Sequence, residues 1–233
     1  MKFYEKLNQR RNDTKDLQNK IFETVEKLES TSTSSYRPGV LLGKIQSGKT
    51  RAFIGVMAHA FDKNFDVAIV LTKNSRLLGE QTTRRIRQEL EDFCKSGYID
   101  VYYVNEFNDT VLKKSQMLNK KVFVAIKNPS NIEKLINCFK NNNPDLAEKK
   151  VLIIDDEADY GSVGYRFNSD SEKAEMLTTA AKLNELRGII HDSHFLQVTA
   201  TPYSLYLQPD ELEIDGEIHK PIKPSFSVVY KRS

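Results

Sequence analysis

The sequence predicts an α/β fold, in which a parallel β-sheet is covered by helices on both faces. Three observations predict it. Six short apolar runs lack the polar alternation of a sheet with one face in water, so we expect both faces of these strands to be buried. Longer amphipathic segments with helical spacing separate the runs, as crossover helices do. The 233 residues are 39% hydrophobic and 29% charged, which is typical of a folded domain.

The first predicted element is a helix that precedes the sheet. Asp13 and Thr14 are suited to cap it. Its apolar stripe consists of Leu17, Ile21, Val25 and Leu28. Residues 30–35, all Ser or Thr, then predict an exposed linker. We therefore divide the chain into a helical extension with its linker over residues 1–37 and a main lobe over residues 38–233. The alternative is that the helix simply packs on the main domain.

The strands and helices of the main lobe follow in alternation. The predicted strands contain residues 40–42, 67–71, 101–104, 122–126, 151–154 and 195–198. The predicted helices contain residues 50–61, 78–93, 132–139 and 171–190. Connections between parallel strands should be right-handed. From about residue 205 the chain carries Pro209, Pro221 and Pro224, so we expect it to be irregular apart from a strand near residues 225–230.

Composition excludes several classes of protein. With only Cys94 and Cys138, neither a disulfide scaffold nor a cysteine zinc site is expected, and a reducing compartment fits. No apolar run approaches the roughly 20 residues of a membrane helix, and the N-terminus lacks the apolar core of a signal peptide. We therefore expect a cytoplasmic protein with no membrane partner. The net charge of +3 permits an anionic partner without requiring one.

Residues 43–50, Gly-Lys-Ile-Gln-Ser-Gly-Lys-Thr, match the phosphate-binding pattern G-x-x-x-x-G-K-[ST]. They follow a predicted strand and open a predicted helix, which is the context this loop needs. Glycines let backbone N–H groups turn toward phosphate oxygens, and the helix N-terminus adds partial positive charge. Lys49 can reach the β- and γ-phosphates, and Thr50 can offer its hydroxyl to Mg²⁺. The predicted binding residues are Gly43, Gln46, Ser47, Gly48, Lys49 and Thr50.

Four carboxylates follow the predicted strand at residues 151–154. They belong to Asp155, Asp156, Glu157 and Asp159. Their mutual repulsion is offset if Mg²⁺ lies beside the phosphate loop, where one carboxylate holds the metal through water and a second polarises the attacking water. The register is ambiguous, because Asp155 and Asp156 could each be the metal residue. A solvated acidic turn is the alternative.

Two further motifs place the loop in a known context. Residues 156–159 spell D-E-A-D, and Thr199-Ala200-Thr201-Pro202 ends another apolar run some forty residues later. In this order, phosphate loop, D-E-A-D and T-A-T resemble motifs I, II and III of superfamily-two helicases and translocases, over roughly residues 17–202. The resemblance implies a RecA-like P-loop lobe that binds ATP and Mg²⁺ and hydrolyses ATP.

The resemblance also implies roles for individual residues. Lys49 would contact phosphate, Thr50 and Asp156 would hold Mg²⁺, and Glu157 would activate water, which decides the register in favour of Asp156. Gln18, thirty residues before Gly48, stands where such enzymes often keep an adenine-reading glutamine. A glutamine on a helix surface is the alternative.

The same comparison implies a link to nucleic acid. Asp159 would hydrogen-bond Thr199 or Thr201 and so couple the nucleotide site to the nucleic-acid face. Residues 71–76 and 125–130 follow the second and fourth predicted strands with hydroxyl, amide and basic groups, which suit sugar-phosphate contacts. The predicted contacts are Lys73, Arg76, Arg84, Lys127 and Asn128. For the arginines after residue 80, a solvated basic helix face is the alternative. We expect DNA rather than RNA as the partner.

The phosphate loop departs from the A-x-T-G-S-G-K-T of most of the superfamily. Its G-K-I-Q-S-G-K-T, with D-D-E-A-D and T-A-T-P-Y, resembles the Z-one domain family, also labelled an endonuclease family and associated with restriction and mobile-element defence. The nuclease label has little support, because two residues rather than one separate Glu217 from Lys220. Superfamily-two motors use two RecA-like lobes, and too few residues follow Pro202 for a second one. We therefore expect a partner lobe elsewhere. The alternatives are an ATPase or a nucleotide-sensing module that acts on a protein partner.

Overall fold

A computed structural model describes residues 2–34, 37–43, 48–107, 111–156, 170–200, 212–214, 217–219 and 223–230. The helices are α1 (Phe3–Arg11), α2 (Lys15–Ser30), α3 (Lys49–Asp62), α4 (Arg76–Glu89), α5 (Glu91–Lys95), α6 (Lys114–Met117), α7 (Pro129–Asn137) and α8 (Asp170–Ile189). The strands are β1 (Gly39–Gly43), β2 (Val67–Thr72), β3 (Ile99–Tyr103), β4 (Lys120–Ile126), β5 (Lys150–Asp156), β6 (Asp192–Thr199), β7 (Leu212–Ile214), β8 (Glu217–His219) and β9 (Phe226–Tyr230).

Seven strands form one sheet in the order β3-β4-β2-β5-β6-β1-β9, and every pair in it is parallel. The predicted α/β class is therefore confirmed. The six predicted runs lie in β1 to β6, except that Val104 of the third run follows the end of β3. Strands that are covered on both faces carry few polar residues, which makes them recognisable in the sequence. All seven strands point the same way, so their carboxyl ends, where the predicted loops begin, lie at one edge of the sheet.

The two faces of the sheet have separate cores. One face packs against α1 to α5, and its strand residues include Leu41, Val70, Leu152, Ile154 and Val198. The other face packs against α7 and α8, and its strand residues include Ile69, Leu71, Ile153 and Phe195. Helices α3 and α4 lie in connections that cross the sheet toward β3, whereas α7 and α8 lie in connections that cross it toward β9. Opposite directions with opposite faces give all four crossovers the same hand, as the handedness rule requires.

The two N-terminal helices pack on α3 and share its core. Helix α2 begins where predicted, because the Thr14 hydroxyl accepts a hydrogen bond from the Leu17 N–H. It approaches α3 closely at Gly55, where a Cβ atom would clash with Ile21 Cδ1. Helix α1 runs alongside α3, and its first N–H groups donate to the carboxylate of Asp62, the last residue of α3.

Two segments differ from expectation. Within the predicted exposed linker, Thr33 is buried, because its hydroxyl accepts a hydrogen bond from the Phe195 N–H (2.8 Å) at β6. In the tail predicted to be irregular, β7 and β8 pair as an antiparallel hairpin. The strand predicted near residues 225–230 is confirmed as β9, which forms the edge of the sheet beside β1. In the sequence, Asp-Gly separates β7 from β8, and this dipeptide between two strands is a hairpin signal. Across the described ranges, no helix is both long and apolar enough to cross a membrane.

Candidate nucleotide site and nucleic-acid surface

The predicted phosphate loop lies in the chain between α3 and β1, the strand next to the edge strand β9. Strand β1 ends at Gly43 and α3 starts at Lys49, so the predicted binding residues bracket the loop as the motif requires. Gly48 has a φ of 79°, in the left-handed region that favours glycine, and its carbonyl accepts the first helical hydrogen bond, from Ala52. Gln46 and Ser47 lie outside the described residues.

The first turn of α3 is suited to hold an anion. Lys49 and Thr50 are its first two residues, both half-buried, and the turn contains no acidic side chain. Unsatisfied N–H groups and the helix dipole give this end partial positive charge. The arrangement therefore fits a phosphate group at the carboxyl edge of the sheet, next to β1.

The alternation of side chains along β5 distinguishes Asp155 from Asp156, either of which could be the metal residue from the sequence alone. Leu152 and Ile154 of β5 belong to the core on the α3 face. Since side chains alternate along a strand, Asp156 lies on the α3 face and Asp155 on the opposite one. Asp156 is half-buried at the end of β5 and pairs in register with Val198 of β6. Glu157 and Asp159 lie outside the described residues.

Asp155 is held by a different interaction. It is buried, and its Oδ1 atom lies 2.6 Å from the Lys127 ammonium. Its alternating neighbours along β5 belong to the core formed with α7 and α8. Asp155 therefore anchors the loop after β4, and Asp156 remains on the side of the phosphate loop.

The donor set fits Mg²⁺. Strand β6 lies between β1 and β5, so Asp156 is two strand spacings, about 10 Å, across the edge from the end of β1. A threonine hydroxyl and one carboxylate, completed by phosphate oxygens and water, are the hard oxygen ligands that Mg²⁺ prefers. Within the described ranges, no group of three or more His, Cys, Asp or Glu side chains is placed to hold a metal. The candidate site therefore relies on the nucleotide for part of its ligands.

The predicted coupling residue Thr199 is buried at the end of β6, beside Leu42 of β1. Its alternating neighbour Val198 belongs to the α3 core, so Thr199 lies on the opposite face of the sheet. Thr201 is outside the described residues, and the predicted link from Asp159 to Thr199 or Thr201 stays a prediction.

The two predicted nucleic-acid loops touch each other. Asn128 accepts a hydrogen bond from the Asn131 N–H, which caps α7, and its amide donates to Asn74 Oδ1 (3.3 Å). Asn74 in turn donates to Glu175 of α8 (3.1 Å). The loops after β2 and β4 therefore form one polar surface with α8, on the edge that carries the phosphate loop.

The cationic side chains predicted for this surface differ in exposure, in ion pairing and in position. Lys73 is half-buried in the loop after β2, and Arg76 is exposed at the start of α4, where it pairs with Glu80 (3.0 Å). Lys127 is turned inward to Asp155. Arg84 lies two turns farther along α4, in a groove with Arg10 and Arg85. The structure therefore groups Lys73 and Arg76 at the strand ends and separates Arg84 from them.

Gln18 lies on the first turn of α2, where its amide donates to the backbone carbonyl of Asp13 (2.7 Å). Asp13 itself binds Arg51, a residue of the first turn of α3 (2.6 Å). Its adenine-reading role stays a prediction, but Gln18 belongs to a segment that contacts the phosphate-loop helix. Motif analysis missed Asp13 and Arg51 in this context, because no sequence pattern pairs residues so far apart.

Comparison with known proteins supports the fold. No protein-family model matches the chain, and a search of curated proteins gives no match. Among solved structures, the helicase domain of Hef from Pyrococcus furiosus is similar, with a TM-score of 0.50 and 14% sequence identity over 78% of this chain. The match takes in 32% of the Hef chain, so this chain spans about a third of its length. The fold is therefore that of a helicase RecA-like lobe.

Proposed function

We propose that the chain is the ATP-binding first lobe of a superfamily-two helicase-like or translocase-like ATPase that acts on nucleic acid. One observation carries the proposal: the phosphate loop opens α3, and Asp156 ends β5, two strands away from β1, on the α3 face of the sheet. A loop match alone would fit any P-loop protein. The likeness in fold to a helicase lobe and the D-E-A-D and T-A-T motifs favour this class.

In this proposal each residue has one task. Lys49 neutralises the β- and γ-phosphates, Thr50 and Asp156 hold Mg²⁺, and Glu157 accepts a proton from the attacking water. Mg²⁺ neutralises charge on the phosphate oxygens when it is bound. Asp155 takes no part in the reaction, because Lys127 already engages its carboxylate.

Titration calorimetry with Mg-ATP tests the phosphate loop. Lys49→Ala removes a charge-assisted contact worth roughly 1.5–3 kcal/mol, so ATP should bind about tenfold to a hundredfold more weakly. Lys63→Ala is the matched control, since Lys63 is an exposed lysine just past the other end of the same helix. Equal ATP affinity in the two variants would contradict the phosphate-loop assignment.

Hydrolysis tests the base and the second lobe. In the complete protein, Glu157→Gln should retain Mg-ATP binding and lower turnover by about 10²–10⁴. A second RecA-like lobe would supply an arginine finger, worth on the order of 10³–10⁵ in rate. This chain alone should therefore bind ATP and hydrolyse it very slowly. Rapid hydrolysis by the purified chain would show that the site needs no second lobe.

Binding of single-stranded DNA across a salt series tests the nucleic-acid partner. Replacing Lys73 and Arg76 by alanine should reduce the slope of log affinity against log salt by up to about 1.4, because each phosphate that a cation no longer neutralises lowers it by about 0.7. Adding Lys127→Ala should change the slope little, because that ammonium is paired with Asp155. An unaltered slope in the double variant would favour the second candidate, an ATPase or nucleotide sensor that acts on a protein.

A role in restriction or mobile-element defence is supported by the resemblance of the loop and of D-D-E-A-D to the Z-one family. The test is a plaque or plasmid-transformation assay in a bacterial host that expresses the complete protein. Protection should be lost with Lys49→Ala and retained with Lys63→Ala. Equal protection, or none, in both variants would argue against a nucleotide-dependent defence function.

A further inference from the structure

A buried polar cluster joins the N-terminal helices to the first turn of α3. Its centre is the carboxylate of Asp13, whose side chain is 0% exposed. Oδ1 accepts from Arg51 Nε (2.6 Å), and Oδ2 accepts from the Tyr4 hydroxyl (3.1 Å). Asp13 is the residue before the cap of α2, and Arg51 lies two residues after Lys49. The cluster thus reaches the helix turn that carries the predicted phosphate ligands.

At the same junction, the side chains of Arg11 and Arg51 each donate a hydrogen bond to the backbone carbonyl of the other residue. Arg11 Nη2 donates to the Arg51 carbonyl (2.5 Å), and Arg51 Nη2 donates to the Arg11 carbonyl. Arg51 is therefore fixed at both its guanidinium and its backbone. A guanidinium that binds two acceptors at once has a defined orientation, which a single contact would not give.

The loop between α1 and α2 is itself rigidly held. The Asp13 N–H donates to Asn8 Oδ1 (2.8 Å), and the Asp13 carbonyl accepts from Gln18 Nε2 (2.7 Å). Burial, followed by the charge of Asp13, raises the pKa of Tyr4, so its hydroxyl stays protonated and donates. Asp13 is consequently a fixed anchor and not a mobile surface carboxylate.

We infer that Asp13 and Arg51 are positioning residues for the phosphate loop, through which the N-terminal helices fix the first turn of α3 in its binding geometry. The inference rests on the proposed function and adds a means of controlling that site. Preorganisation of a binding loop contributes to affinity because less conformational entropy is lost on binding. By thermodynamic linkage, bound nucleotide should in turn tighten the packing of α1 and α2 on α3.

The far end of the same helix pair offers a matched control. There Asp62 accepts from the N–H groups of Phe3 (2.5 Å) and Tyr4 (3.0 Å), which also attaches α1 to α3. Asp62→Asn should loosen the junction at that end, about three and a half helical turns from Lys49. A purely structural role predicts that Asp62→Asn and Arg51→Gln behave alike, whereas a positioning role predicts that only Arg51→Gln affects nucleotide.

The experiment uses this chain and two measurements. Hydrogen exchange without nucleotide should show on the order of tenfold faster exchange over residues 49–55 in Arg51→Gln and in Asp13→Asn, and little change there in Asp62→Asn. Titration calorimetry should show Mg-ATP binding weakened about fivefold to tenfold by Arg51→Gln and less than twofold by Asp62→Asn. Arg51→Lys keeps the charge but not the several donors of the planar guanidinium, so its Mg-ATP affinity should fall between those of wild type and Arg51→Gln. If Asp13→Asn does not fold, the measurements on Arg51→Gln alone provide the test.

Two outcomes would overturn the inference: wild-type exchange over residues 49–55 in Arg51→Gln, or an equal loss of ATP affinity in Arg51→Gln and Asp62→Asn. Failure of the proposed function gives a different result. If the wild-type chain does not bind Mg-ATP, the nucleotide site is wrong, and the exchange measurement still decides whether Arg51 holds the helix turn.

Discussion

Replacing Lys127 by methionine should destabilise the chain by roughly 3–5 kcal/mol, the usual cost of removing one partner of a buried ion pair. The Lys127 and Asp155 side chains are only 16% and 9% exposed, with 2.6 Å between Nζ and Oδ1. Methionine keeps most of the apolar stem, so the substitution isolates the loss of the ammonium group. The carboxylate of Asp155 is then left on a strand whose neighbouring positions belong to the hydrophobic core.

Removing both charges should be much milder. A buried ion pair can often be replaced by apolar side chains of similar size with little loss of stability, because the desolvation cost of both charges disappears. Lys127→Met combined with Asp155→Leu should therefore be more stable than Lys127→Met alone. This non-additivity is the distinguishing feature of a buried pair.

Urea unfolding followed by circular dichroism measures these differences. Strand β4 provides a control at its other end, where Lys120 pairs with Asp66 (2.9 Å) and the two side chains are 21% and 36% exposed. Lys120→Met should cost less than about 1 kcal/mol, as more exposed pairs do. The reasoning is refuted if Lys127→Met costs no more than Lys120→Met, or if the double variant is less stable than Lys127→Met.

Three further predictions concern the fold. Thr14→Ala should lower the free energy of unfolding by about 1 kcal/mol, because α2 loses its cap. Gly55→Ala should destabilise the chain, because the new Cβ clashes with Ile21 of α2. Gly188→Ala in α8 has no atom within 4 Å of the new Cβ, so it should be neutral or stabilise by up to about 1 kcal/mol. Urea unfolding compares the two variants. Burial holds the pKa of His194 below its usual 6.5, so the unfolded chain takes up a proton that the folded chain does not. Stability should therefore fall as pH drops below about 6.5, and His194→Gln should flatten that part of a stability profile against pH.

The sequence predicts β1 to β6 and the helices α3, α4, α7 and α8, and the reason is physical. A strand covered on both faces must be apolar throughout, and a helix on its surface must be apolar at intervals of three or four residues, so each type has its own pattern. The order of the strands has no such local signature. Strand β9 lies beside β1, far from it in sequence, because the two share apolar contacts with α2 that only the folded chain brings together.

Part of the candidate site can likewise be identified from the sequence, and part of it cannot. The phosphate-loop motif can be identified in the sequence because its glycines and lysine lie within one strand–loop–helix unit, and phosphate binding by it stays a prediction. The pairs Asp13–Arg51 and Lys127–Asp155 join residues 38 and 28 positions apart, and each residue alone is typical of a surface. For Lys127, a basic residue in a strand-end loop indicates a phosphate contact until β5, on the other side of β2, is known to supply a carboxylate.

Asp155 and Asp156 show how a fold decides what a motif leaves ambiguous. Both are acidic, both end the same strand, and either could bind a metal if considered alone. The period of two along β5 requires that they point to opposite faces, and the cores identify the faces: Ile154 packs with α3 and Ile153 with α7 and α8. Only the α3 face adjoins the helix that the phosphate loop opens. The opposite face already provides Asp155 with a cation, so a metal there would have to displace Lys127. The same alternation that buries the sheet on both sides therefore assigns one aspartate to stability and places the other on the face of the proposed nucleotide site.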